Sequence, residues 1–167
     1  MIALRASFAA AGLLLLSCGG ASSSPEPAPG GAPEPVAFET LVQRSIPGQS
    51  GGTLHESARD EAAWTALWSR LREGGGDVLP AQPPAVDFSR DMTIAAALET
   101  QPCVSKVTLR KVTLEGGELV VDLLEAPPAP NCVCIVAERP IHVVRLPRSE
   151  APVRFAVERG VTSCGGR

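Results

Sequence analysis

Four cysteines, Cys103, Cys132, Cys134 and Cys164, have the residue type and spacing that most directly suggest chemistry. An even set of thiols in an exported chain points to two disulfides, with three possible pairings. Cys132 and Cys134 are two positions apart, so on a strand both would face the same side. Each would then reach a distant partner more comfortably than its neighbour. The expectation is one bond to Cys103 and one to Cys164, with the assignment open, each contributing about 2–4 kcal/mol. The bond to Cys164 would staple the Gly-rich tail. The sharper alternative is a small metal-binding or redox domain, because four thiols, or three with His142, can satisfy tetrahedral zinc. Against it, Cys-x-Cys is not the usual knuckle spacing, and no Cys-x-x-Cys opens a helix.

Two further patterns could support catalysis. Gly48-Gln49-Ser50-Gly51-Gly52 matches Gly-x-Ser-x-Gly, which acts as a nucleophile elbow on a strained turn between a strand and a helix. Here Pro47 precedes it and Thr53-Leu54-His55 continues as extended chain. The only distant imidazole is His142, which alternates in phase with Val144 and Leu146 and reads as a half-buried strand residue. Asp87 and Asp91 could resemble an acid–base pair, but Asp before a strand more readily closes a turn through its own backbone. The chain has no Gly-x-Gly-x-x-Gly, phosphate loop or His-Glu-x-x-His. No catalytic residue, metal ligand or cofactor is therefore assigned, and the protein is read as a non-enzyme.

One helix must position these residues, together with a set of strands. Trp64, Leu67, Trp68 and Leu71 recur at i, i+3, i+4 and i+7, a single apolar stripe. Ser57 is expected to cap that helix, Glu61 to sit in its first turn and Gly74-Gly75-Gly76 to end it. Met92, Ile94, Ala96 and Leu98 alternate with smaller residues. Val107 and Leu109 change phase to Val112 and Leu114, which marks a bulge at Arg110-Lys111. Glu115-Gly116-Gly117-Glu118 forms a hairpin turn into a strand over 119–124. Further strands are expected over 132–137, 141–146 and 153–157, with a Pro-rich loop over 126–130. Strands without intervening helices predict an α+β domain: a small antiparallel β-sheet with one N-terminal amphipathic helix packed on it.

The 167 residues suit one ordinary domain, and a formal charge of −3 supplies no electrostatic footprint for nucleic acid. Pro and Gly, 16 of each, are unevenly spread. Residues 1–17 read as an export signal: Arg5, then an eleven-residue apolar run over 6–16, too short to span a bilayer. Leu15-Leu16-Ser17-Cys18 resembles the bacterial lipobox, which implies cleavage before Cys18 and lipid on its thiol. Removing 1–17 takes away Arg5 and no acid, so −3 becomes −4. Residues 19–35 contain five Pro, four Gly and three Ser with no large apolar side chain, so they cannot offset their ordering entropy. The expected organisation is a signal peptide over 1–17, a lipid anchor and disordered tether over 18–36 reaching roughly 20 to 50 Å, and a globular domain over 37–167. Gly19, not Asp, follows the anchor, which implies outer-membrane sorting in a bacterium with two membranes.

Within that domain, Trp64-Thr65-Ala66-Leu67-Trp68, followed by Pro84-Ala85-Val86-Asp87-Phe88-Ser89-Arg90-Asp91-Met92, resembles the PrcB-type protease-complex-subunit domain. Asn131-Cys132-Val133 and Arg139-Pro140-Ile141-His142-Val143-Val144 are similar to that family's closing strands, so the resemblance spans about residues 55–147. Where the family has a Gly-Gly-Tyr-type segment, this chain reads Gln101-Pro102-Cys103-Val104-Ser105, and that segment's role is not carried over. The resemblance implies an exported, non-catalytic accessory domain that binds or stabilises a partner protein such as an envelope protease. Residues 101–105 and 126–131 are the candidate partner surface.

Overall fold

The computed structural model describes residues 32–47, 51–73, 78–103 and 105–164. The export signal, Cys18, most of the tether and Ser50 lie outside the described residues. Among the described residues, nine strands and one helix follow in order: β1 (Glu34–Pro35), β2 (Glu39–Pro47), β3 (Leu54–Ala58), α1 (Glu61–Arg72), β4 (Asp91–Ala97), β5 (Gln101–Pro102), β6 (Lys106–Glu115), β7 (Glu118–Ala126), β8 (Ala137–Pro147) and β9 (Val153–Arg159). They form two sheets, ordered β1-β6-β7-β9 and β2-β8-β4-β3, with β5 beside the start of β8. No helix among the described residues is long and apolar enough to cross a membrane.

The expected α+β arrangement, one antiparallel sheet with an N-terminal helix, is overturned. Of the described residues, 51% are strand and 10% helix, so the fold is mainly β. Three strands precede α1, and β9 runs parallel to β7. The strands divide between two sheets because β4 and β8 are covered on both faces. Met92, Ile94, Ala96, Val144 and Leu146 pack against Val107, Leu109, Val112, Leu119, Val121 and Leu123 of the facing sheet. On the opposite face, Ala95, Ala97, Ile141 and Val143 form the floor for the helix. The small side chains of Ala95 and Ala97 leave room for the two indoles, so the helix adds a third layer.

The apolar stripe of α1 is buried as expected, through Trp64, Leu67, Trp68 and Leu71. Each indole N–H donates to a carbonyl, Trp64 to Pro84 and Trp68 to Pro80, both at 3.0 Å. The proline-rich return from helix to β4 is thereby tied to the core. Ser57 does not cap the helix, because it belongs to β3. Asp60 does so, its side chain accepting from the Ala63 amide at 2.8 Å. Asp60→Ala should therefore cost about 1 kcal/mol in urea unfolding, while Ser57→Ala should leave the cap intact. Equal losses at both positions would contradict this assignment.

The bulge in β6 lies where expected, with the register against β7 shifting between Leu109 and Lys111. Gly116 and Gly117 turn the β6–β7 hairpin at φ 59° and 84°, values that a two-residue turn requires and side chains resist. The crossing from β8 to β9 is held by arginines. Arg59 donates to the carbonyls of Ser149 and Ala151, and Arg148 to those of Arg59 and Phe88. At the other sheet's edge, pairing begins at Glu34, opposite Leu114, within the segment 18–36 assigned to the tether.

Candidate functional site

The end of the fold opposite the Gly116-Gly117 turn gathers most of the chemically distinctive residues. There β7 finishes at Ala126, paired with Lys106, and the chain enters a loop over 127–136. Cys103 bonds Cys134, and Cys132 bonds Cys164. The paired cysteines thus reach separate partners, one to Cys103 and one to Cys164. Segment 132–136, expected to be strand, is irregular. The disulfides draw Cys132 and Cys134 to opposite neighbours, so no sheet ladder takes up the residues between them.

Main-chain bonds hold the same loop. Thr162 N donates to Pro127 O at 2.8 Å, Ala129 N to Thr162 O at 3.1 Å and Cys103 N to Val136 O at 3.1 Å. Cys103 occupies the left-handed region at φ 78°, which costs a non-glycine residue about 1 kcal/mol or more and persists only where the surroundings impose it. Between these clamps, Val133 and Ile135 are 95% and 102% exposed, with Val136 and Val161 also open to solvent. The Cys103–Cys134 bond ties candidate segment 101–105 to loop 127–136, which continues from the other candidate segment, 126–131; Val104 lies outside the described residues. With all four sulfurs paired, a thiolate zinc site or redox dithiol would first require reduction of a disulfide.

The candidate catalytic residues are separated. His142 is 2% exposed and engaged at both nitrogens. Its Nδ1 accepts from the Leu109 amide at 2.8 Å, which places the neutral ring's proton on Nε2, 3.0 Å from Thr40 Oγ1. Burial, aided by the Lys106 ammonium, pushes its pKa down to about 4. Asp87 accepts from the amide and hydroxyl of Ser89 and closes the turn before β4, its pKa lowered by those bonds. Asp91 lies 3.8 Å from Arg145 instead of forming a carboxylate pair. Gly51, from the Gly-x-Ser-x-Gly pattern, packs on the buried Arg139, where an added Cβ would lie 2.6 Å from the guanidinium. Arg139 donates to the carbonyls of Gly52 and Arg70, and burial lowers its pKa. That glycine serves packing.

Neither a protein family, nor a curated protein, nor a solved structure matches the chain. The site must be read on its own geometry.

Two features escaped the sequence reading. His55 Nε2 lies 2.7 Å from Glu125 Oε1, without hydrogen-bond alignment, and the ring stacks on Phe155 at 5.2 Å. This contact closes the seam between β3 of one sheet and β7 and β9 of the other. The second is the exposure of Val133 and Ile135. Two cysteines bracketing an apolar residue, directly after a Pro-rich loop, were the available signal that this segment is stapled.

Proposed function

We propose that this protein is a non-catalytic, lipid-anchored cell-envelope lipoprotein that binds a partner protein through the disulfide-braced loop 127–136. The observation that carries this reading is the full exposure of Val133 and Ile135 on a loop fixed by two covalent bonds. Isolated exposed apolar residues are common, but these sit within four residues of chain, with Val136 exposed beside them, on a loop held by two disulfides. A pre-ordered loop loses little entropy on association, and burying each aliphatic side chain contributes about 1.5–3 kcal/mol. The direction of the tether is also favourable. Glu34 pairs beside the β6–β7 turn, so the chain enters at the end away from the loop, about 30 Å along β6. The lipobox-like Leu15-Leu16-Ser17-Cys18 supports the anchor, and the disulfides support an oxidising compartment. The resemblance to PrcB-type domains suggests an exported protease as the partner.

Cross-linking in native membranes, then mass spectrometry of the purified protein, tests this reading. The expected result is a stoichiometric exported protein joined to loop 127–136. Val133→Asp combined with Ile135→Asp should reduce its recovery about tenfold or more while leaving the urea midpoint unchanged. Undiminished recovery with the double variant would remove the loop from the interface. Thiol counting and metal analysis address the metal-binding or redox alternative. Stoichiometric metal or free thiols in the native protein would replace the partner-binding reading.

A further inference from the structure

A pocket of about 250 Å³ opens between the sheets near the braced end, where the start of β6 lies over the paired edge of β2 and β8. Its polar lining comes from Gln43, Arg44 and Ser45 on β2 and from Ser105 and Lys106 at the start of β6. Among the described residues, no carboxylate lines it. Arg44 donates to the carbonyl of Val78. Lys106 forms no ion pair among the described residues, and its ammonium is close enough to act on His142. Ser105 provides an independent observation: it is 3% exposed, and its hydroxyl has no hydrogen-bond partner among the described residues. A buried hydroxyl left unsatisfied costs about 1–3 kcal/mol, a cost that an incoming acceptor would remove. The remaining wall is apolar, from Val107 and Pro140.

Among the described residues, two cations without an ion pair, a buried hydroxyl without a partner and an apolar wall favour an anionic acceptor on an apolar stem. The volume falls below the roughly 300 Å³ at which pockets begin to hold drug-sized ligands, so a nucleotide is too large. We propose that this pocket binds a carboxylate on a short aliphatic stem, with Lys106 as the charge partner and Ser105 Oγ as a hydrogen-bond donor. The stem lies against Val107 and Pro140. A free short-chain acid and the carboxylate terminus of a polypeptide share this chemistry. The pocket's chemistry is independent of partner binding at loop 127–136.

The test is a titration of the isotopically labelled full chain in detergent micelles, following the backbone amides of Gln43, Ser105, Lys106 and Val107 by NMR. The probes are butyrate, butyramide, and a tripeptide ending in valine with a free or an amidated C-terminus. Saturable shifts with the two carboxylates, at a Kd on the order of 1 mM, and none with the two amides are expected. Lys106→Gln should weaken binding about tenfold or more, while Lys106→Arg should hold it within about threefold. Lys106 is exposed, so its substitution should leave the urea midpoint in place and keep the test readable. Tripeptide binding about tenfold tighter than butyrate would identify a polypeptide terminus as the occupant, and the reverse order a free acid. Absence of saturable shifts, equal shifts from butyramide, or unchanged binding by Lys106→Gln would overturn the proposal.

Discussion

Replacing Cys103 and Cys134 together by Ser is expected to lower the free energy of unfolding by about 3–4 kcal/mol, and replacing Cys132 and Cys164 should cost a similar amount. The sequence separations are 31 and 32 residues, so in the chain-entropy account each bond removes nearly the same freedom from the unfolded chain. Against a typical stability of about 5–15 kcal/mol, either loss would be severe. Urea unfolding followed through the buried Trp64 and Trp68 reports the global transition. A loss below about 1 kcal/mol for both variants would show that the folded state, and not the cross-links, already determines the loop.

The two variants should differ locally. Cys103 is buried in a left-handed conformation and ties β5 to the loop, whereas Cys132 and Cys164 join two exposed segments. Without the Cys103–Cys134 bond, the strain at position 103 loses its strongest restraint. Gly at 103, combined with Cys134→Ser, should therefore recover about 1 kcal/mol relative to Ser at 103, because glycine adopts positive φ freely. No such recovery is expected from Gly at 132. Limited proteolysis should cut within 127–136 in both variants while the β6–β7 hairpin stays protected. Loss of loop order should also weaken partner recovery, since part of the proposed affinity comes from a pre-formed tip.

What the sequence disclosed follows from how local each signal is. The stripe of Trp64, Leu67, Trp68 and Leu71 repeats with the helical period, and Gly116-Gly117 encodes its own turn, so both were legible. The bulge was legible because apolar phase changes across Arg110-Lys111. The even cysteine count and the Cys-x-Cys spacing indicated which thiols pair with distant partners, but not which pairs with which. The second sheet was harder to see. β2 is an edge strand whose only fully buried residue is Ile46, so it carries no clean alternation. The available clue was β8, whose run from Ile141 to Val144 has no exposed face. Such a run belongs to a strand covered on both sides. The parallel β7–β9 pairing has no local signature at all, because the chain passes through the other sheet between them. Segment 132–136 misled for a different reason: alternating Cys and aliphatic residues look like a buried strand, but the disulfides turn the sulfurs away and leave Val133 and Ile135 outside. Lys106 and Ser105 acquire meaning only from β2 across the seam.

Stability should rise steeply with pH between about 4 and 6.5, and His142 is the group responsible. Its ring bridges the sheets by accepting from the Leu109 amide beside the β6 bulge and meeting Thr40 on β2. Only the neutral ring can accept at Nδ1, so protonation would set an Nδ1–H donor against the Leu109 amide. Burial first, and the Lys106 charge second, lower its pKa from the ordinary 6.5 to about 4. The unfolded chain therefore binds the proton more tightly than the folded one. The stabilising contribution is fully present above pH 6.5 and is lost as pH falls toward 4. The difference amounts to about 3 kcal/mol overall, of which about 2 kcal/mol is gone by pH 5. Subtracting the pH profile of His142→Gln from that of the native protein isolates this contribution from carboxylate titrations. NMR titration of the His142 ring provides the direct check. A midpoint near 6.5 would mean that the bridge between the sheets tolerates the imidazolium, and the pH dependence would then have to originate elsewhere.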